Sequence, residues 1–233
     1  MRPAFGGDRG FAVVVAMMGL LMISAIAVAL VLATSTESLI ARNFRDGAAA
    51  MYAADAIAVR GISDLAAEPD WSAVLDGTAR SRFFDAAVGP RTLADGSTID
   101  LAAIVNSWNC GTITPCTSAD MNRTTVERPW GANNPRWRIY ACGPLADLLA
   151  AAGSRSREYV LLLVADDPSE TDSDPLVDGG GLANQGTGVI MLRGEAFGPG
   201  GSHSVIDVTV AREDAGALGM DPAVRVRSWR LGR

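Results

Sequence analysis

Residues 11–33 read FAVVVAMMGLLMISAIAVALVLA, and no charged residue stands between Arg9 and Glu37. About 20 apolar residues in a helix span the hydrocarbon core of a bilayer, so this run is long enough to cross one. A secretory signal peptide is the rival reading. Its apolar core is about 7–15 residues long and ends at a small-residue cleavage site. Here the run is longer, and Thr34-Ser35-Thr36-Glu37-Ser38 brings no Pro or Gly to end it.

The pattern continues as a helix. Ile40, Phe44, Ala48, Met51, Ile62 and Leu65 recur at three- and four-residue steps or their multiples, with Arg42, Arg45 and Asp46 between them. No proline occurs between Pro3 and Pro69. One helix is therefore expected over residues 11–66, spanning the membrane over 11–33 and amphipathic beyond, roughly 80 Å long at about 1.5 Å per residue. The amphipathic half is expected to pack on a soluble head, residues 67–233. Two basic residues flank the span on each side, Arg2 and Arg9 against Arg42 and Arg45. The short basic N-terminus favours a cytoplasmic start and a single pass with the head outside the cytoplasm.

The 233-residue chain has a formal net charge of −6. All its cationic side chains are arginines, scattered and not clustered. That speaks against nucleic-acid binding, which usually needs a basic face, and no polybasic lipid-binding patch stands out. Of the three cysteines, Cys110 and Cys116 enclose a short turn-rich loop and are the disulfide candidate outside the cytoplasm. Cys142 is left free, buried in a strand, or in intermolecular contact. Its pairing with either of the others remains open. Zinc does not fit, because the spacing is wrong and the single histidine, His203, is distant.

Pro69-Asp70 ends the long helix. A mixed, roughly helical stretch is expected over 71–87 and a first strand over 98–105, followed by a long irregular stretch over 106–135. Strands are expected at 137–142, 159–165, 189–197, 204–211 and 224–231, with a short helix at 145–152. The 159–165 strand reads as buried on both faces, and Gly198–Gly201 as a hairpin turn. In 137–142, Trp137, Ile139 and Ala141 fall on one face. In 224–231, Val224, Val226 and Ser228 oppose Arg225, Arg227 and Trp229. The sum is an α+β architecture: a long helix on an antiparallel sheet.

Chemistry-bearing motifs are sparse. Asp166, Asp167, Asp172 and Asp174 lie in an acidic loop whose carboxylates could hold calcium, although the spacing is not that of an EF-hand and a solvated linker explains the composition. No other cofactor is expected. His203 reads as exposed turn chemistry. The serine-hydrolase elbow and the His-Glu-x-x-His zinc motif are missing, and Gly179-Gly180-Gly181 follows no strand, so no enzymatic activity is expected.

A short basic leader ending in Gly10, an aromatic Phe11 and an apolar helix running into an amphipathic one resemble the start of a type IV pilin or pseudopilin. Glu37-Ser38-Leu39-Ile40-Ala41-Arg42-Asn43-Phe44-Arg45-Asp46, then Tyr52-Ala53-Ala54-Asp55-Ala56, narrows the likeness to PilX-type minor pilins over residues 8–66. Ser228-Trp229-Arg230 is a fainter echo. The resemblance implies a class III prepilin leader over 1–10, cleavage by a prepilin peptidase between Gly10 and Phe11, and methylation of the new amine. It implies an inner-membrane subunit with a periplasmic head, extracellular once in the pilus. Its partners would be other pilins, the assembly machinery and, in some members, cell-adhesion targets. Ile40, Phe44, Met51 and Asp55 become helix-packing candidates, with Asp55 standing where relatives often carry Glu. Major pilins have a glutamate at the fifth mature position, and here that position is Val15. A carboxylate there costs about 2.5–3.5 kcal/mol on insertion scales unless a neighbour's amine pairs with it. Valine suits a low-copy, priming or tip subunit, and the same feature occurs in tip-type pseudopilins of type II secretion.

Overall fold

The structure, a computed structural model, describes residues 8–85, 89–170, 174–179, 188–213 and 223–232. The chain divides into two units, one ending at Arg45 and one beginning at Asp46. The long helix α1 runs from Asp8 to Ala66.

In the first unit, the apolar side chains from Phe11 to Leu32 are exposed to the surroundings on every side of the helix. Past the apolar run, the hydroxyls of Thr34, Ser35, Thr36 and Ser38 each donate to the carbonyl four residues back, at 2.8–3.0 Å. Hydroxyl groups that turn back on their own helix need no partner from solvent, so the polar stretch stays helical.

In the second unit, five strands form one antiparallel sheet in the order β3-β4-β5-β6-β7: β3 Arg138–Pro144, β4 Tyr159–Asp166, β5 Val189–Phe197, β6 His203–Glu213 and β7 Ala223–Leu231. Each strand pairs with its sequence neighbour, the cheapest topology for short connections. One face packs on the C-terminal part of α1. Ala50, Ala53, Ala54, Ile57, Ala58 and Leu65 are buried there against Leu162, Val164, Leu192, Val208 and their neighbours. The opposite face, carrying Ile139, Cys142, Leu161 and Leu163, is covered by α3, Leu101–Cys110. β4 lies between these two layers and is buried at all eight positions, as its unbroken apolar run predicts.

Two glycines set the close approach of helix and sheet. A Cβ on Gly194 of β5 would fall 2.6 Å from the Ala54 carbonyl oxygen, and one on Gly61 of α1 would fall 2.3 Å from a Leu162 methyl.

Several sequence expectations are corrected. Of the helix stripe Ile40, Phe44, Ala48, Met51, Ile62 and Leu65, Leu65 is buried and Ile62 packs on the core, but Phe44 is 79% exposed, Ile40 is exposed and Met51 is half-buried, and the rest of the buried face is alanine-rich. Small side chains let a helix sit close to a sheet, and weighting large apolar residues overlooked that. The stretch after Pro69 is helical only over α2, Trp71–Asp76, between an Asp70 cap that accepts from the Ser72 amide and a left-handed Gly77 at φ 84°. The strand expected over 98–105 stops at Asp100. β1, Pro90–Thr92, and β2, Thr98–Asp100, form a small hairpin, and Asp100 then caps α3 by accepting from Ala102 and Ala103. The irregular stretch holds α4, Ser118–Met121, opened by a Thr117–Asp120 capping box, and a 3-10 turn at Gly131–Asn133. The helix expected over 145–152 is broken into α5, Leu145–Leu148, and a 3-10 turn, Ala150–Ala152. In β3 a bulge between Ile139 and Ala141 puts these two residues on opposite faces. A second bulge in β7 pairs Trp229 with Val208 and Val226 with Val210, so Trp229 shares Val226's face.

Candidate functional site

The apolar segment of α1 is the first candidate. Among the described residues, α1 is the helix long and apolar enough to cross a membrane. Gly10 and Phe11 lie inside the helix, Phe11 exposed and a Cβ at Gly10 meeting nothing within 4 Å. Val15 is exposed among other apolar side chains. Asp55, half-buried, makes no salt bridge among the described residues. One turn on, Arg60 and Asp64 pair at 2.8 Å, and Asp64 also takes a short hydrogen bond from Ser81. These contacts tie α1 to the segment after α2.

On the head, Cys110 and Cys116 form a disulfide with Cα atoms 6.2 Å apart. It closes the loop at the C-terminus of α3, where Gly111 takes φ 74°. The Asn109 side chain accepts from the Trp137 amide at 2.7 Å and donates to the Trp137 carbonyl at 2.9 Å, clamping α3 to the start of β3. Cys142 is free and buried in β3. Burial raises its thiol pKa, and a thiol of that kind is a poor nucleophile.

The Cys142 thiol donates to Asp85 at 3.4 Å, and the Tyr159 hydroxyl donates to the same carboxylate at 2.9 Å. Arg91 pairs with it through Nε at 3.1 Å. Burial alone would raise the Asp85 pKa; the hydrogen bonds from Arg91, Tyr159 and Cys142 outweigh it and hold the carboxyl below its ordinary value.

The acidic loop is not a solvated linker throughout. Asp166 and Glu170 are buried. Asp166 accepts from the Asp167 amide, Asp167 from Ser169, Asp174 from Leu176, and Glu170 from Gly179. These carboxylates organise turns. Of the calcium candidates, Asp172 lies outside the described residues, as do Gly180 and Gly181. Among the described residues no group of three or more His, Cys, Asp or Glu could hold a metal ion.

The sequence reading missed a buried polar network on the α3 side of the sheet. Glu195, 2% exposed, accepts from Trp108 Nε1 at 2.6 Å and hydrogen-bonds His203 Nε2 at 3.0 Å. Arg193 makes a two-pronged contact with Asp207 at 2.6 and 2.9 Å and lies 3.6 Å over the Trp108 ring. His203 is exposed, as expected, but it opens β6 and stacks on Phe197. The available signal was Arg193 and Glu195 alternating within β5, both aimed to the face opposite Leu192 and Ala196.

The fold and this helix define a class: an α+β head attached to a single long helix whose apolar stretch has the length and composition of a membrane anchor. Residues 9–56 match the model of the PilX N-terminal family. That match supports a PilX-type pilin, as Glu37–Ala56 suggested. No curated protein and no solved structure matches the chain.

Proposed function

We propose that this chain is a minor pilin that takes part in type IV pilus assembly as a structural or priming subunit. The observation that carries the reading is the match over residues 9–56 on a helix whose apolar stretch is exposed all round. Such a surface needs lipid before assembly and other helices after it. In this reading residues 1–10 are the leader, cut between Gly10 and Phe11, and Phe11 is methylated. Residues 11–33 hold the subunit in the inner membrane with the head, 67–233, in the periplasm, and extracellular once the pilus forms.

The work is non-covalent. Ile40, Phe44 and Met51 pack against neighbouring helices, and Asp55 faces an arginine of a neighbouring subunit. Val15 provides no carboxylate for a neighbour's terminal amine, which suits a low-copy position at or near the filament tip. Mass spectrometry of the membrane-bound protein tests the reading. A mature chain beginning at N-methylated Phe11 is expected, and an intact leader overturns it. The valine also suits a tip-type pseudopilin of type II secretion. Gene deletion separates the two: loss of pili with secretion intact is expected, and the reverse result selects the secretion machine.

A further inference from the structure

A cleft of about 600 Å³ opens on the head beside α3, α4 and the start of β3. Phe84, Val105, Met121 and Ile139 give it apolar lining. Arg80, Arg136 and Arg138 also line it, against one carboxylate among the described residues, Asp174. Three guanidinium groups in one cleft are out of keeping with a chain of net charge −6.

None of these arginines forms a salt bridge among the described residues. Arg80 lies over the Phe84 ring at 5.1 Å, Arg136 donates to the Asn122 side chain, and the buried Nε of Arg138 has no hydrogen-bond partner. Burial and then the charge of Arg138 lower the pKa of Arg136. Burial and then Arg136 do the same to the neighbouring Arg128. Arg138 thus disfavours the charge on Arg136, and an incoming carboxylate would relieve that repulsion while finding the planar fork it pairs with best.

The walls are held in place beforehand. Asp100 caps α3, the disulfide closes its far end, and Asn109 grips both backbone groups of Trp137. A preformed site loses less ordering entropy on binding. The volume lies within the roughly 300–1,000 Å³ range of ligand sites. It far exceeds a single oxyanion, which would leave the apolar lining uncovered.

We propose that this cleft docks an acidic segment of a partner polypeptide, with an apolar side chain against Phe84 and Ile139 and flanking carboxylates on Arg80, Arg136 and Arg138. Asn106 and Ser118 on the wall present polar groups to the segment's backbone. The inference goes beyond the pilus assignment and does not depend on it, since binding is read on the purified chain.

The test is calorimetric titration of the full chain, in a non-ionic polyoxyethylene detergent, with the blocked peptide acetyl-Asp-Leu-Asp-Leu-Asp-amide. Binding is expected to weaken about tenfold or more when the aspartates are replaced by asparagine, and similarly in Arg136→Ala. Arg136→Lys, which keeps the charge but not the fork, should weaken it less than Arg136→Ala does. Binding should also weaken at about 1 M salt, where charges more than about 3 Å apart are screened. Arg80→Ala, which removes an exposed side chain stacked on Phe84, gives a second readout should Arg136→Ala fail to fold by circular dichroism. Absence of binding, equal binding of the asparagine peptide, or folded arginine variants that bind like the parent overturns the proposal. N-acetylaspartate binding as tightly as the peptide also overturns it, in favour of a small-anion site.

Discussion

At Gly194 and Gly61 the helix and the sheet approach so closely that one methyl group decides the fit. The obstacle at Gly194 is the Ala54 backbone carbonyl, which cannot swing away; at Gly61 it is the end of the Leu162 side chain, which can. Gly194→Ala is therefore expected to destabilise the head by about 1–3 kcal/mol. Gly61→Ala should cost clearly less, because it also gains about 1 kcal/mol of helix propensity. Urea unfolding followed by circular dichroism checks the order of the two. Asp85 supplies a pH signature. Its native pKa is depressed, so its contribution is present above the unfolded value and is lost as pH falls through the native one. Stability should decline below about pH 4, where a free aspartate begins to protonate. Tyr159→Phe removes one hydrogen bond to this charge, should cost about 1.5–3 kcal/mol near neutral pH, and should flatten the acid limb. An unchanged acid limb would show that Asp85 is not the group titrating. A parallel case without burial is Asp95, brought to about 2 by the Ser97 hydroxyl and amide and then by the Gly200 amide, a contact that joins the β1–β2 turn to the β5–β6 turn.

At the scale of elements, α3 depends on its two ends. Asp100 starts it, and Gly111 with the Cys110–Cys116 bridge finishes it. A bridge across so short a loop contributes about 2 kcal/mol in the chain-entropy account. Cys110→Ser with Cys116→Ser should lower the urea midpoint accordingly. Cys142 should stay unreactive to thiol reagents until the head unfolds, because it is buried in β3. The strands β5 and β6 were legible in the sequence because alternation and a Gly-Pro-Gly-Gly turn leave one pairing register. The Thr98–Val105 stretch was not. Its partial alternation suggested a strand, but the side chain of Asp100 captures two amides and turns the chain into a helix. Alternation also failed at both bulges, since one extra residue moves every later side chain to the other face.

At the scale of the molecule, exposure separates stability from assembly. Phe44 is 79% exposed on α1, so Phe44→Ala should leave the unfolding free energy of the head, measured in urea, within about 0.5 kcal/mol of the parent. The proposed helix packing predicts that the same variant lowers pilus number, counted by electron microscopy. Wild-type pilus numbers in that variant would remove Phe44 from the packing surface.

The sequence by itself determined the long apolar helix, the PilX-type segment and the α+β class with its apolar β4, because uninterrupted hydrophobicity and strand periodicity are local properties of the chain. It also pointed to Cys110 and Cys116 as a pair. The tertiary structure alone decided which stripe of α1 is buried, how the bulges reorient β3 and β7, and how Trp108, Arg193, Glu195, His203 and Asp207 meet. It likewise brought Arg80, Arg136 and Arg138 to one cleft. Those outcomes depend on how closely separate segments approach and which charges share a desolvated space, and neither quantity exists until the chain has folded.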